Sequence, residues 1–216
     1  MERWRGALEE LGDAAAEVEW RYAAFELDPT IPAEGVDARA SLEAKYYAAT
    51  VAEIHARLAG VAAAEGLALR DMGAQAMRPN TLAAHRLLTA ALEAGPDVQQ
   101  ALADGLFHAY WAEGRDVGDH GVLTGLAEAA GLPAARAAEV LAGDDFVAEV
   151  RAEERRAQES GIHAVPTFVI DGRFAVSGAQ PPEALARAVR QALVAGGAAP
   201  AGLLEQRAHP DGECRA

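Results

Sequence analysis

The stretch from Gly161 to Gln180 constrains the fold more than any other part of the chain. Residues 166–170 and 173–176 are short apolar segments with the length and composition of β-strands, and Asp171-Gly172 lies between them. An Asp-Gly pair favours a type I′ turn, because both central residues of that turn need a positive φ. The sequence therefore predicts a β-hairpin, with the Val165–Pro166 bond directly before it.

Helical patterns stand on either side of this hairpin in the chain. Residues 2–15 place their apolar side chains on one face and most of their acidic side chains on the other, which predicts an amphipathic helix. Residues 17–22 alternate charged and apolar side chains, which predicts a strand with one buried face. After the hairpin, Pro181-Pro182 favours a helix start. One apolar stripe follows, formed by Leu185, Val189 and Leu193.

The middle of the chain carries only helical periodicity, from about residue 38 to 160. Glycine and proline interrupt it often enough to predict five or six helices. Three short strands, the terminal helices and this insertion predict one sheet with a helical domain inserted between its halves. The predicted domains are a first part with helix, strand and loop (1–36), the helical insertion (37–160), a second part with hairpin and helix (161–196), and a flexible tail (197–216).

Composition excludes several classes of function. Nineteen basic residues against 33 acidic ones give a net charge of −14, which would repel a nucleic-acid backbone. No apolar run approaches the roughly 18 to 20 residues that a membrane-spanning helix needs, so we expect a soluble cytoplasmic protein without a membrane partner. A single cysteine, Cys214, cannot form an internal disulfide, and no Cys/His cluster has metal-ligand spacing. We therefore expect no metal site.

Five local strings occur in a definite order along the chain. They are Phe25-Glu26-Leu27-Asp28-Pro29, then Pro79-Asn80-Thr81 with Ala84-His85-Arg86-Leu87, Ala109-Tyr110-Trp111, Val165-Pro166-Thr167-Phe168, and Ser177-Gly178-Ala179-Gln180-Pro181. Together they resemble the DsbA family of thioredoxin-fold oxidoreductases, specifically its FrnE-like branch, over roughly residues 3–195. The resemblance implies an α/β thioredoxin-like fold with a large all-helical insertion, here lacking its first central strand.

The resemblance also implies a substrate-binding loop. In such proteins a cis-proline loop faces the active site, so Val165 and Thr167 would offer backbone groups and Pro166 would set the geometry. The residues alone fit a trans proline at the start of an edge strand equally well. His163 could approach a substrate thiol or point to solvent. Asn80 could touch a ligand or cap its helix, and capping is the safer interpretation.

The other half of such a site is a Cys-x-x-Cys turn at the start of the first helix, where the helix N-terminus lowers the pKa of a thiol. The chain has no such turn, so we expect no catalytic residue in it, and Cys214 in the polar tail is more simply a bystander. We hypothesise that Met1 is a truncated or misassigned start and that the full product has roughly 15 to 25 further residues, enough for a strand and a turn.

The sequence thus predicts a FrnE-like thiol–disulfide oxidoreductase scaffold that is inactive as it stands. Its partners would be thiol or disulfide substrates, either peptides or small thiols. No cofactor is expected, although glutathione could serve as substrate or co-substrate. One alternative is the sister branch of hydroxychromene-carboxylate isomerases and kappa-class glutathione transferases, and another is a non-catalytic binding module. A homodimer is compatible with the family but has no local signal in this sequence.

Overall fold

The structure is a computed structural model that describes residues 1–45, 48–70 and 77–195. The chain divides into two compact units, of which the first combines residues 1–19 with the chain from Gly161 onward and the second is residues 20–160. Residues 20–36, which the sequence assigned to the thioredoxin-like part, lie in the second unit. The predicted domain boundaries stay a prediction, and the predicted flexible tail with Cys214 lies outside the described residues.

Helices dominate both units. In chain order the elements are α1 (Glu2–Leu11), a 3₁₀ turn (Gly12–Glu17), β1 (Val36–Asp37), α2 (Ala38–Lys45), α3 (Ala48–Ala64), β2 (Met77–Arg78), α4 (Leu82–Ala94), α5 (Pro96–His108), a π-helical turn (Ala109–Glu113), α6 (His120–Ala129), α7 (Ala134–Ala142), α8 (Val147–Glu159), β3 (Thr167–Ile170), β4 (Phe174–Ser177) and α9 (Pro182–Val194).

The prediction of five or six helices in the middle of the chain stays a prediction, because residues 46–47 and 71–76 lie outside the described residues. The described part of residues 38–160 holds seven α-helices, α2 to α8. The segment from residue 38 to 65 carries one continuous helical pattern, and its described residues form α2 and α3.

The core of the second unit lies between α4, α5, α6 and α7. Its fully buried side chains include Leu87, Leu102, Leu123 and Val140, which alternate with many buried alanines. Small alanine side chains allow helices to approach closely while larger leucines fill the space between them. The alanine-rich composition therefore serves close helix packing.

A buried arginine closes one end of this core. Arg86 on α4 is 7% exposed and donates to the backbone carbonyls of Val140, Gly143 and Asp145, the last at 2.7 Å. These carbonyls lie at or just beyond the C-terminal end of α7, where backbone acceptors lack helical partners and a positive charge is favourable. The guanidinium thus satisfies acceptors that would otherwise be buried without a donor.

The strand predicted over residues 17–22 is absent, and so is the single sheet that was to contain it. The described strands form two separate two-stranded antiparallel sheets, β1–β2 and β3–β4. Residues 12–17 form the 3₁₀ turn, and residues 18–27 run outside any ladder. Alternate residues of this segment donate their backbone N–H groups to helix side chains: Tyr22 to Gln99 Oε1 (2.9 Å), Ala24 to Glu153 Oε2 (2.8 Å) and Glu26 to Glu154 Oε1 (3.2 Å).

Gln99 on α5 takes the place of a neighbouring strand residue. Its Oε1 accepts from the Tyr22 N–H, and its Nε2 donates to the Tyr22 carbonyl at 3.1 Å, which reproduces the two bonds of a ladder pair. The same Nε2 donates to the Leu88 carbonyl at 3.1 Å, and the residue is 2% exposed. The side chain therefore joins residue 22 to α4 and α5. The period-two pattern correctly signals extended backbone, but its partner is a side chain.

Replacing Gln99 by alanine should lower the free energy of unfolding by about 2 to 4 kcal/mol, because several backbone groups lose their partner in a buried position. Urea denaturation with an unchanged m-value would measure this loss. Gln100, the next residue on α5, is a matched control, because it is only partly buried and its side chain takes part in no hydrogen bond among the described residues, so Gln100→Ala should cost less than about 0.5 kcal/mol. Equal losses in both variants would contradict the strand-like role of Gln99.

A cluster of charged groups fixes the end of the same segment. The Glu26 side chain is 1% exposed, and Arg151 on α8 donates to both Glu26 and Glu154. Burial raises the pKa of Glu26, with Arg151 opposing that shift. Burial lowers the pKa of His85 despite the nearby Glu154 charge. The histidine is therefore held in its neutral form.

The neutral His85 should make stability depend on pH. Its folded pKa lies below the ordinary value, so as the pH falls through about 6.5 the unfolded chain binds a proton that the folded chain does not, and stability is lost. Urea denaturation between about pH 8 and about pH 5 should show a steeper loss for the native chain than for His85→Gln. The exposed His120 is the control, and His120→Gln should retain the native pH dependence.

Candidate functional site

The hairpin of the first unit forms with the turn that the sequence predicts. Asp171 and Gly172 have φ values of 53° and 64°, and the Arg173 N–H donates to the Ile170 carbonyl at 3.1 Å. The ladder pairs Thr167 with Ser177 and Ile170 with Phe174. The second strand therefore begins one residue later than predicted, since Arg173 belongs to the connection.

Two helices support the hairpin. The Trp4 ring on α1 stacks on Phe168 of β3, with centroids 5.4 Å apart and an interplanar angle of 28°. Of the predicted stripe on α9, Leu185 and Val189 are buried, whereas Leu193 is 38% exposed. Gly6 lets α1 approach the start of α9, because a Cβ at this position would lie 3.1 Å from Pro182 Cγ. The hairpin thus lies on a packed aromatic and aliphatic base.

Two arginine side chains add polar contacts around the hairpin. Arg3 of α1 donates to the carbonyl of Ala179, which follows β4, and Arg190 of α9 donates to the carbonyl of Glu10. Each guanidinium bridges elements that are distant in sequence. These links fix the chain on both sides of the hairpin.

The loop before β3 is held at both ends. The Val165–Pro166 peptide bond is cis. The Pro166 carbonyl accepts from the Gly178 N–H at 2.8 Å, which continues the hairpin pairing by one step. The Thr167 hydroxyl donates to the Ala164 carbonyl at 2.8 Å, and this bond closes the loop on itself. Gly178, which belongs to the Ser177–Pro181 string, therefore fixes the loop through its backbone N–H.

Val165 has backbone groups in this loop that are free to bind a partner. It is 46% exposed, and within the described ranges its N–H and C=O form no hydrogen bond. An exposed donor and acceptor beside a fixed strand can pair with an extended peptide. His163, two residues earlier, is also exposed. The predicted residues His163, Val165, Pro166 and Thr167 thus share one short, accessible segment.

Asn80 lies in the other unit and serves the fold there. Its Nδ2 donates to the Ile31 carbonyl at 2.7 Å, and its Oδ1 accepts from the Leu82 N–H at 3.0 Å, in the first turn of α4. The amide therefore fixes the loop around residue 31 and the start of α4, close to the capping role that the sequence favoured. Its contact with a ligand stays a prediction.

The described residues hold neither a metal-binding cluster nor a membrane-spanning helix. Residues 1–45, 48–70 and 77–195 contain no group of three or more His, Cys, Asp or Glu side chains placed to hold a metal ion. Within the same ranges, no helix combines the length and apolar character needed to cross a bilayer.

A family model described as a DSBA-like thioredoxin domain matches residues 5–190. The chain belongs to this DsbA-like thioredoxin family. The crystal structure of a probable DsbA oxidoreductase from Streptomyces coelicolor is similar to it, with 33% sequence identity and a TM-score of 0.76 over 89% of this chain and 84% of that one. A search of curated proteins found no match. The predicted family and the thioredoxin-like fold with its helical insertion are therefore confirmed.

The sequence placed Trp4 on the apolar face of α1 but did not predict that it supports the DsbA-like loop. Trp4→Ala should lower the free energy of unfolding by about 3 to 5 kcal/mol, because the side chain is 5% exposed and stacks on Phe168. Trp4→Phe keeps an aromatic ring there and should cost less than about 2 kcal/mol. Thermal or urea unfolding measures both losses, and a small loss for Trp4→Ala would contradict the supporting role of the stack.

Proposed function

We propose that this DsbA-like chain binds thiol or disulfide substrates, peptides or small thiols, along residues 163–167. The observation that carries the proposal is the exposed Val165, whose backbone donor and acceptor are unpaired in the described structure while both flanks of the loop are fixed. An extended substrate would pair with these groups as an added strand does. Because the loop is already ordered, little conformational entropy opposes binding.

Disulfide exchange itself needs a thiolate that attacks a substrate sulfur through a mixed disulfide. The 216 residues contain one cysteine, Cys214, and no Cys-x-x-Cys pair. The proposed role of this chain is therefore to hold the substrate, and we expect no exchange turnover from these residues alone. Exposed His163 would contact the substrate thiol.

The FrnE-like assignment is part of this proposal. It is supported by the Ser177–Pro181 string, in which the Gly178 N–H closes the substrate loop by bonding to Pro166 and the Gln180 side chain donates to the Ser177 carbonyl at 2.8 Å. The Ser177–Pro181 string favours the FrnE-like dithiol branch over the glutathione-dependent branch. We accordingly propose peptide disulfides ahead of glutathione conjugates as substrates.

A binding experiment tests the loop directly. A short peptide with a central S-methylcysteine should shift the backbone NMR signals of residues 163–167, and methylation of its central backbone amides should weaken binding at least about tenfold, because the strand-like bonds are lost. Val165→Ala keeps the protein backbone and should retain most of the affinity. Equal binding of the methylated and unmethylated peptides would contradict pairing through the backbone of Val165.

Two activity assays separate the proposal from its rival. The chain should catalyse neither insulin reduction by dithiothreitol nor conjugation of glutathione to an electrophile, since no nucleophilic turn is present in the sequence. Glutathione conjugation above the uncatalysed rate would support the glutathione-dependent reading in its place. Insulin reduction faster than with dithiothreitol alone would contradict the proposal that this chain only holds the substrate, and loss of that acceleration in Cys214→Ser would assign the exchange to Cys214.

A further inference from the structure

Helix α3 of the second unit differs from its neighbours in how little of it is covered. It spans Ala48–Ala64, which is 17 residues. None of its described side chains, those of residues 51–64, is buried. A Cβ added at Gly60 would meet nothing within 4 Å. The next helix, α4, buries five residues by contrast. The described chain therefore leaves α3 with accessible surface along its length.

The composition of α3 is that of a helix packed against other elements. Its sequence is AATVAEIHARLAGVAAA, in which Glu53 and Arg57 are the charged residues and His55 is the histidine. A helix that is apolar over most of its surface is normally covered by neighbouring elements. The accessible α3 thus carries apolar surface that a partner would shield from water.

The larger apolar side chains form one stripe along α3. They recur at spacings of three, four and three residues, which is the a/d pattern of a helix-pairing seam: Val51, Ile54, Leu58 and Val61. Leu58 is 38% exposed and Val61 is 50% exposed, while Val51 and Ile54 are half-buried. These four residues are the α3 seam.

The C-terminal end of the seam is fixed by a Schellman motif. Gly66 has a φ of 69°, and its N–H donates to the Ala63 carbonyl at 3.1 Å. The Leu67 N–H donates to the Ala62 carbonyl at 2.8 Å. In this motif the residue after the glycine commonly contacts the last turn of the helix. Leu67 is 48% exposed, so it extends the accessible apolar surface beyond Val61.

The charge of α3 favours a second copy of this chain as the partner. The chain has a net charge of −14, so most of its surface repels another copy, whereas Glu53 and Arg57 balance each other on α3. These two residues have the i, i+4 spacing that allows an ion pair within a helix, yet neither forms one among the described residues. Arg39 and Glu43 on α2 have the same spacing and do pair, at 2.7 Å. The two charges on α3 are therefore free to pair with another molecule.

We propose that α3 pairs with α3 of a second copy in an antiparallel arrangement with two-fold symmetry. The symmetry places Val51 of each copy against Val61 of the other. It likewise places Ile54 of each copy against Leu58 of the other, so that the two α3 seams cover each other. Such an interface is closed, because the same surface of both copies is used and no further copy can add to it.

The same symmetry brings opposite charges together beside the seam. Glu53 and Arg57 lie on one flank of α3, and an antiparallel two-fold pair keeps that flank on the same side in both copies. Glu53 of each copy then lies level with Arg57 of the other, to within about 3 Å of axial rise. A parallel pair would place the two flanks on opposite sides and would lose both charge pairs.

The size of the contact makes this association weak. A 17-residue helix is about 25 Å long and about 10 Å wide, so the contact covers roughly 250 Å² on each copy. Stable dimers bury about 800 Å² on each partner. We therefore expect a dissociation constant on the order of 0.1 mM. The pairing uses none of residues 163–167 and does not rest on the function proposed for them.

Sedimentation equilibrium of the full chain tests the association. In reducing buffer, which prevents a Cys214 disulfide between copies, the average mass should rise from one chain at about 10 µM toward two chains at about 1 mM. Val61→Glu introduces a charge into the α3 seam and should weaken association at least about tenfold. Ala56→Glu adds the same charge to the opposite, exposed face of α3 and should change the dissociation constant less than about twofold. A chain that is monomeric at about 1 mM, or an equal loss in both variants, would overturn the proposal.

A charge exchange tests the antiparallel arrangement. Glu53→Arg makes the chain less acidic by two charges, which reduces general repulsion between copies, yet it sets like charges at both flank contacts. It should therefore weaken association about fivefold at low ionic strength. The double change Glu53→Arg with Arg57→Glu restores opposite charges and should return the affinity to within about twofold. Both residues are exposed, so the urea unfolding midpoint should stay native. Stronger association of Glu53→Arg, or no recovery in the double variant, would overturn the arrangement.

Discussion

In the second unit, helix side chains bind an extended segment in the way that a neighbouring strand would. The extended segment around Tyr22 presents backbone donors on alternate residues, and such donors are costly to bury without acceptors. Gln99, Glu153 and Glu154 supply those acceptors from helices α5 and α8. Because Gln99 also donates to the Tyr22 carbonyl, one side chain reproduces the local pairing of a ladder. The extended segment therefore belongs with the helices.

Two ionisable side chains near the extended segment, Glu26 and His85, are shielded from solvent. The Glu26 carboxylate is buried beside Arg151. His85 is also buried, and its lowered pKa favours the neutral form. Burial moves the two pKa values in opposite directions, up for the acid and down for the histidine, because it disfavours the charged form of each. The stability of the contacts that hold this segment consequently depends on pH through Glu26 and His85.

In the first unit, an aromatic stack and a backbone hydrogen bond hold the loop before β3. Stacking of Trp4 on Phe168 and the closure between Pro166 and Gly178 hold the segment before β3 in place, while Val165 stays exposed. A rigid base with accessible backbone groups is suited to recognising an extended chain, whatever its side chains. The chain belongs to the DsbA-like thioredoxin family, and the single cysteine of this sequence limits the proposal to substrate binding.

The sequence by itself determined the family, the Asp171-Gly172 turn and the helical character of the middle of the chain, because these depend on local residue preferences and on strings in a recognisable order. Only the tertiary structure decided what residues 18–27 pair with and that Asn80 holds the Ile31 carbonyl. Alternation can show that backbone is extended. It cannot show whether the partner is a strand or the side chains of helices more than 70 residues away, since that choice depends on packing between segments distant in sequence.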